Sequence, residues 1–239
     1  MRLAMWSGPR NLSTALMYAF GNRADFHAVD EPFYGPYLRA TGKAHPLRDL
    51  IRASRPEDGL AVEQSLLGPI PDAKPHAYHK HMCQHMIDGV PRGVLVGSVN
   101  VFLLRHPARV AASFLKGFPD AEPEDLGFHA QAELFKACVA LGQAPIVIDS
   151  ADIREDPDRA LRGLCDAIGL DFDPAMLSWP RGPKSFDGVW AAHWYDAVHD
   201  STGFAGPEGP LPTETPRASE LTQSVMPAYE TLDQTRIRL

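Results

Sequence analysis

The chain opens on a short apolar run, Leu3-Ala4-Met5-Trp6. It passes without a spacer into Ser7-Gly8-Pro9-Arg10-Asn11-Leu12-Ser13-Thr14 and then Ala15-Leu16-Met17-Tyr18-Ala19-Phe20. A buried strand, a tight loop with Gly and Pro, and an amphipathic helix in immediate succession point to an α/β fold. At such a junction successive backbone N–H groups and the positive end of the helix dipole converge on one spot, so an anion is stabilised there. Arg10 adds a planar, permanently charged fork suited to phosphate or sulfate oxygens. Ser13 and Thr14 can cap the helix and donate hydroxyls to a ligand. The plainer reading of the same residues is a tight strand-to-helix turn with a routine N-cap.

The loop is not the nucleotide-hydrolysing P-loop, which needs Gly, four residues, then Gly-Lys-Ser/Thr. Here no lysine lies in the loop, and β/γ-phosphates would lack their usual cation. A small P-loop kinase is therefore the weaker reading.

At 239 residues the chain suits one α/β domain, spanning 1–239. An apolar fraction of 44% can bury a core, and 22% charged residues is ordinary. The net charge of −7 disfavours nonspecific binding to nucleic acid or to an anionic membrane. An acidic protein that binds an anion has to gather its Arg and Lys locally, so the position of each cation is informative. Cys83, Cys138 and Cys165 are too few and too widely spaced for a disulfide framework and fit a reducing compartment. The chain begins with no signal pattern and contains no apolar run of about 18 residues, so the expectation is a cytoplasmic, non-spanning protein.

Further along, 26–29 reads as a second strand ending at Asp30-Glu31-Pro32, and 34–72 as loops and short helices over an active face. Strands are expected at 77–86, more weakly at 93–96, and at 101–104 and 145–148. Helices are expected at 107–115, 123–142, 157–169 and 219–232, with loops from 179. This order predicts a three-layer α/β/α fold with a mostly parallel central sheet. Its appendages are a loop-rich cover at about 34–74 and a C-terminal extension at about 179–239.

Arg105 closes the apolar run Val101-Phe102-Leu103-Leu104, and Ser113 follows eight residues on in the next helix. An Arg at the carboxyl end of a parallel strand sits where open α/β sheets bind ligands. Alone, a surface Arg and a helix-interior Ser would say little. Taken in order, however, three segments resemble the sulfotransferase family. Trp6 to Thr14 resembles its 5′-phosphosulfate loop. Leu103-Leu104-Arg105-His106-Pro107 with Val110-Ala111-Ala112-Ser113-Phe114 resembles its 3′-phosphate motif. Arg181-Gly182-Pro183-Lys184 with Asp187-Gly188-Val189-Trp190 resembles its late loop. The likeness runs to about residue 195 and is strongest to bacterial and plant chains with the pattern Ser-Gly-Pro-Arg-Asn-x-Ser-Thr. Arg10 stands where many members have Lys, and Leu12 where many have Gly.

The resemblance implies a P-loop-like nucleotide-binding fold that uses 3′-phosphoadenosine 5′-phosphosulfate as sulfuryl donor. It places Arg10, Asn11, Leu12, Ser13 and Thr14 at the 5′ end and Arg105, Ser113, Arg181 and Lys184 at the 3′-phosphate. It implies in-line transfer to a hydroxyl or amine of a small-molecule acceptor, with no metal needed. Glu31 leads as the base, because it follows the second strand and some bacterial members use a Glu there. In the family's Lys-x-His strand motif Lys80 matches as a transition-state cation, but Met82 stands in the His position.

In a regular strand His79, His81, Cys83 and His85 share one face and Lys80, Met82 and Met86 the other; ligands two apart on a strand do not make a usual metal site. Tyr78, Trp190, Trp194 and Tyr195 can wall a pocket or sit in the core. A non-catalytic nucleotide- or anion-binding relative remains the other reading of Arg10 and Leu12. A homodimer is a general expectation.

Overall fold

The computed structural model describes residues 1–238. Five strands, β1 (Arg2–Ser7), β2 (Phe26–Asp30), β3 (His76–Met82), β4 (Val99–Leu104) and β5 (Ile146–Asp149), form one sheet in the order β2-β3-β1-β4-β5. Every neighbouring pair is parallel. The chain moves outward from the central β1 to β2 and later crosses to β4, so connections leave β1 in opposite directions. The crevice at the carboxyl end of β1 is where such sheets bind ligands.

Strand periodicity sorts the side chains into two cores. Leu3 and Met5 face a cluster built with α1 (Ser13–Gly21) and α8 (Pro157–Ile168), which includes Leu16, Phe20, Leu161 and Leu164. Ala4 and Trp6 face the opposite cluster, where α4 (Gly59–Leu67) and α6 (Phe128–Ala140) supply Leu66, Leu134 and Phe135. Each fully buried side chain of this size contributes about 1.5–3 kcal/mol. Helices on both faces make the expected α/β/α layers.

The remaining helices are α2 (Tyr34–Thr41), α3 (Arg48–Ser54), α5 (Pro107–Phe114), α7 (Ser150–Glu155), α9 (Ala191–Trp194), α10 (Asp196–His199) and α11 (Pro216–Asp233).

Several local expectations are corrected. The segment 123–142 is not one helix: a 3-10 turn at Pro123–Leu126 breaks at Gly127, whose φ is 76°, before α6 begins. The break accommodates the first loop, because a Cβ on Gly127 would sit 3.2 Å from the Gly8 Cα. The strand expected at 77–86 stops at Met82, and Cys83–His85 is a 3-10 turn. The weak strand at 93–96 is a 3-10 turn at Gly93–Leu95. Helix α7 was not among the expected helices, although Asp149 caps it by accepting the Ala151 N–H at 2.7 Å. No helix is long and apolar enough to cross a membrane among the described residues.

Candidate functional site

The first loop lies across the carboxyl edge of β1. Gly8 is required there: an added Cβ would approach the Leu126 carbonyl oxygen to 2.3 Å. Arg10 adopts the left-handed conformation at φ 55°, which costs a non-glycine residue about 1–2 kcal/mol and marks a position held by its surroundings. Asn11 pins the loop, donating from Nδ2 to the Leu103 carbonyl at 2.9 Å and accepting the Leu12 N–H at 2.8 Å. The N-cap of α1 is Leu12, with no side-chain capping bond, so Ser13 and Thr14 are the first helical residues and not its caps. The first α-helical bond runs from the Leu16 N–H to the Leu12 carbonyl at 3.0 Å. The amides of Ser13, Thr14 and Ala15 precede it and have no partner in the helical ladder.

Arg10, Ser13, Thr14, Glu31, Lys80 and Tyr195 line one cavity of about 180 Å³. The Arg10 guanidinium lies 5.3 Å from the Trp194 ring, and burial holds it below its ordinary value with no carboxylate acting against that shift. It is a desolvated cation that shares this cavity with the first two residues of α1, Ser13 and Thr14.

The same cavity is bordered by a buried ionic network. Lys80 Nζ donates to Asp30 Oδ1 at 3.0 Å, Glu31 Oε1 at 2.6 Å and the Tyr195 hydroxyl at 2.6 Å. Tyr195 in turn donates to Asp30 at 2.9 Å, and Asp30 Oδ2 accepts the Gly188 N–H at 3.0 Å. Parallel pairing builds the cluster, since Asp30 lies beside Lys80 in register. Glu31 is in the left-handed region at φ 38°, next to Pro32. Arg10 and Glu31 are thus the two cavity residues held in the left-handed region.

Burial lowers the Lys80 ammonium by itself, but Asp30, Glu31 and their hydrogen bonds outweigh it and hold the group above its ordinary range. Burial pushes the Glu31 carboxyl above its ordinary value of 4.5, with Lys80 opposing and Asp30 adding to the shift. A carboxylate raised in this way is a stronger base than an exposed one.

The aromatic residues divide. Tyr78 and Trp190 are fully buried in the core, whereas Trp194 and Tyr195 line the cavity. The 3-10 turn after β3 also separates the histidines. His81 stacks on Trp6 at 4.2 Å inside the core, while His85 swings to the cavity between Tyr34 at 4.5 Å and Tyr37 at 4.7 Å. His85 therefore does not share the face of His79 and His81. Met82 lines the cavity, next to Gln84.

Arg105 lies outside this cavity. Its Nη1 donates to the Arg10 carbonyl, and its Nε meets Glu208 Oε1 at 3.0 Å. Arg109 and Arg154, neither evident from the sequence motifs, converge on the same carboxylate. Ser113 sits one turn beyond Arg109 in α5. Arg181 and Lys184 lie apart from that cluster, Lys184 beside α1. Lys184 Nζ donates to the Pro180 and Gly182 carbonyls and lies 4.9 Å from the Tyr18 ring, and Arg181 is exposed. Neither shares a partner with Arg105. Asp30, Arg109 and Arg154 are the site residues the sequence did not single out; only Asp30 had a signal, as the neighbour of Glu31. Among the described residues no group of three or more His, Cys, Asp or Glu is placed to hold a metal ion.

This parallel sheet, with a helix-start loop at the end of β1 and an arginine at the end of β4, defines a three-layer α/β protein. A family model described as "Sulfotransferase domain" matches residues 1–236, and the chain belongs to that family. Two curated proteins of Arabidopsis thaliana, branched-chain-amino-acid aminotransferase-like proteins 1 and 2, are 36% and 33% identical to it over 227 residues. The match covers 95% of this chain but 40% of each relative, so the chain spans well under half the length of the curated relatives it matches. Among solved structures it resembles a sulfotransferase from Alicyclobacillus acidocaldarius, with TM-score 0.55, 14% identity and 98% and 96% of the two chains covered. It also resembles the sulfotransferase domain of the curacin biosynthetic pathway, with TM-score 0.54, 15% identity and 94% and 96% covered. At these identities the likeness is one of fold.

Proposed function

We propose that the chain is a sulfotransferase that moves a sulfuryl group from 3′-phosphoadenosine 5′-phosphosulfate to a hydroxyl or amine of a small-molecule acceptor. The observation that carries this reading is Arg10, a half-buried cation without a counter-ion, lining one cavity together with the helix-start residues Ser13 and Thr14 and the buried carboxylate of Glu31. The residues fit the anionic 5′ end of the donor: Arg10, the amides of Ser13 and Thr14, and their hydroxyls would hold it. A cavity of about 180 Å³ suits the reacting end of the donor and not its whole length, since sites that enclose drug-sized ligands run to roughly 300–1,000 Å³.

The bound donor supplies the sulfuryl group: the acceptor atom bonds to sulfur as the bond from sulfur to the 5′-phosphate oxygen breaks. Glu31 takes the acceptor's proton, and its raised affinity for a proton suits that role. Lys80 holds the Glu31 carboxylate toward the cavity and adds positive charge where the transferring oxygens gather. Arg10 neutralises the charge left on the departing phosphate. Asp30, outside the cavity, and Tyr195, at its wall, both hold Lys80 in position.

The test is transfer of labelled sulfate from the donor to a panel of small alcohols, phenols and amines. Glu31→Gln is expected to lower turnover about 10²–10⁴-fold, the range of a lost general base, while leaving donor binding intact. Unchanged turnover would remove Glu31 from that role.

A further inference from the structure

Three arginines from three different elements meet one carboxylate. Arg105 follows β4, Arg109 lies in α5 and Arg154 in α7, and none of them pairs with any other acidic side chain among the described residues. Arg105 Nε reaches Glu208 Oε1 at 3.0 Å, Arg154 Nη1 the same oxygen at 2.8 Å, and Arg109 Nε Glu208 Oε2 at 2.9 Å. The Glu208 side chain is only 5% exposed. Three guanidinium groups around one carboxylate leave an excess charge of about +2 in a poorly solvated place. A dianion with three oxygens matches that charge and that donor count better than a glutamate does.

Glu208 does not come from a regular element. It sits in the middle of 204–215, an irregular Gly- and Pro-rich segment between Gly203, bridged to Ser178, and the start of α11. The centre of this segment is held by the same arginines. Arg154 Nε donates to the Gly206 carbonyl at 2.8 Å, and Arg109 Nη2 donates to the Gly209 carbonyl. The segment's end carries separate anchors, the packing of Phe204 on Trp179 and the Glu214 bond to Thr222. Moving the centre therefore leaves both ends tied. The cluster also abuts the first loop, because Arg105 Nη1 donates to the carbonyl of Arg10.

We propose that 204–215 is an autoinhibitory strap and that the Glu208 carboxylate is an internal stand-in for a phosphate. The strap leaves the three arginines when the 3′-phosphate of the nucleotide enters. The inference rests on the donor assignment made above. It gives that donor a specific condition for binding: a nucleotide with phosphate only at the 5′ end fills the cavity without moving the strap, whereas a 3′,5′-bisphosphate competes with Glu208.

Calorimetric titration of the full chain and of Glu208→Gln with 3′,5′-bisphosphoadenosine and with 5′-AMP tests this. Removing the competing charge is expected to tighten binding of the bisphosphate by about 10- to 100-fold, the range spanned by a charge-assisted hydrogen bond, and to leave 5′-AMP unchanged. Hydrogen exchange on the unaltered chain gives a second measure that does not depend on the variant folding. Amides in 204–215 should exchange faster with the bisphosphate bound and not with 5′-AMP bound. Equal affinity of both proteins for the bisphosphate, with 204–215 no faster in its presence, would overturn the strap while leaving the donor reading intact. Absence of bisphosphate binding to both proteins would instead sink the donor reading, and the strap with it.

Discussion

At the scale of single residues, the site is defined by charges that burial leaves exposed to one another. Arg10 is the sharpest case, since it is desolvated, lies by the Trp194 ring and forms no ion pair among the described residues. Arg10→Ala should weaken 3′,5′-bisphosphoadenosine binding by about 10- to 100-fold, the loss of a hydrogen bond to a charged group, as read by titration. Arg10→Lys should recover part of it, because a point charge replaces a fork. Full affinity in the alanine variant would move the anion elsewhere.

Histidines set the pH response of the fold. Burial holds His79 down to about 3 and drives His81 and His85 well below their ordinary value of 6.5, so all three are neutral when folded at neutral pH. The unfolded chain binds protons at these positions below about 6.5 and the folded chain does not. Stability is therefore fully present above that pH and is lost as pH falls toward the folded values, by up to about 1.4 kcal/mol per pH unit for each such histidine. Thermal unfolding followed from pH 7 to pH 4 checks this; a flat profile would contradict it.

At the scale of elements, backbone approach decides what side-chain pattern cannot. Gly8→Ala places a methyl group 2.3 Å from the Leu126 carbonyl oxygen, so the loop or the turn beneath it has to shift. The expected cost is about 1–3 kcal/mol, typical of overpacking, and each kcal/mol lowers the melting temperature by about 2–4 °C in a chain of this size. An unchanged melting temperature would show that the loop sits higher than the structure places it. The same contact explains what the sequence concealed. Apolar residues at Leu126, Ala130, Leu134 and Cys138 continue a helical spacing straight through Gly127, yet the chain breaks there because Gly8 lies against it. Alternation likewise runs on past Met82, although the strand ends and turns His85 into the cavity. The strands themselves were legible because parallel-sheet strands buried on both faces are continuous apolar runs.

At the scale of the whole molecule, the parallel sheet brings the first loop, the end of β2 and the end of β3 to one crevice, lined by Arg10, Glu31 and Lys80. Glu31 was readable because it follows a short strand, and Arg10 and Lys80 because the segments around them resemble motifs of the sulfotransferase family. The arginine cluster was not, because Arg105 and Glu208 are separated by 103 positions and only tertiary packing joins them. The net charge of −7 had implied that cations must be gathered locally, and Arg105, Arg109 and Arg154 are gathered in this way.

The central claim is that this crevice binds a nucleotide carrying two separate anionic ends. The most direct test is titration of the purified chain with 3′,5′-bisphosphoadenosine, 5′-AMP and ATP without magnesium. The account predicts saturable binding with clear preference for the bisphosphate. Preference for ATP, or no binding of the bisphosphate, would contradict it.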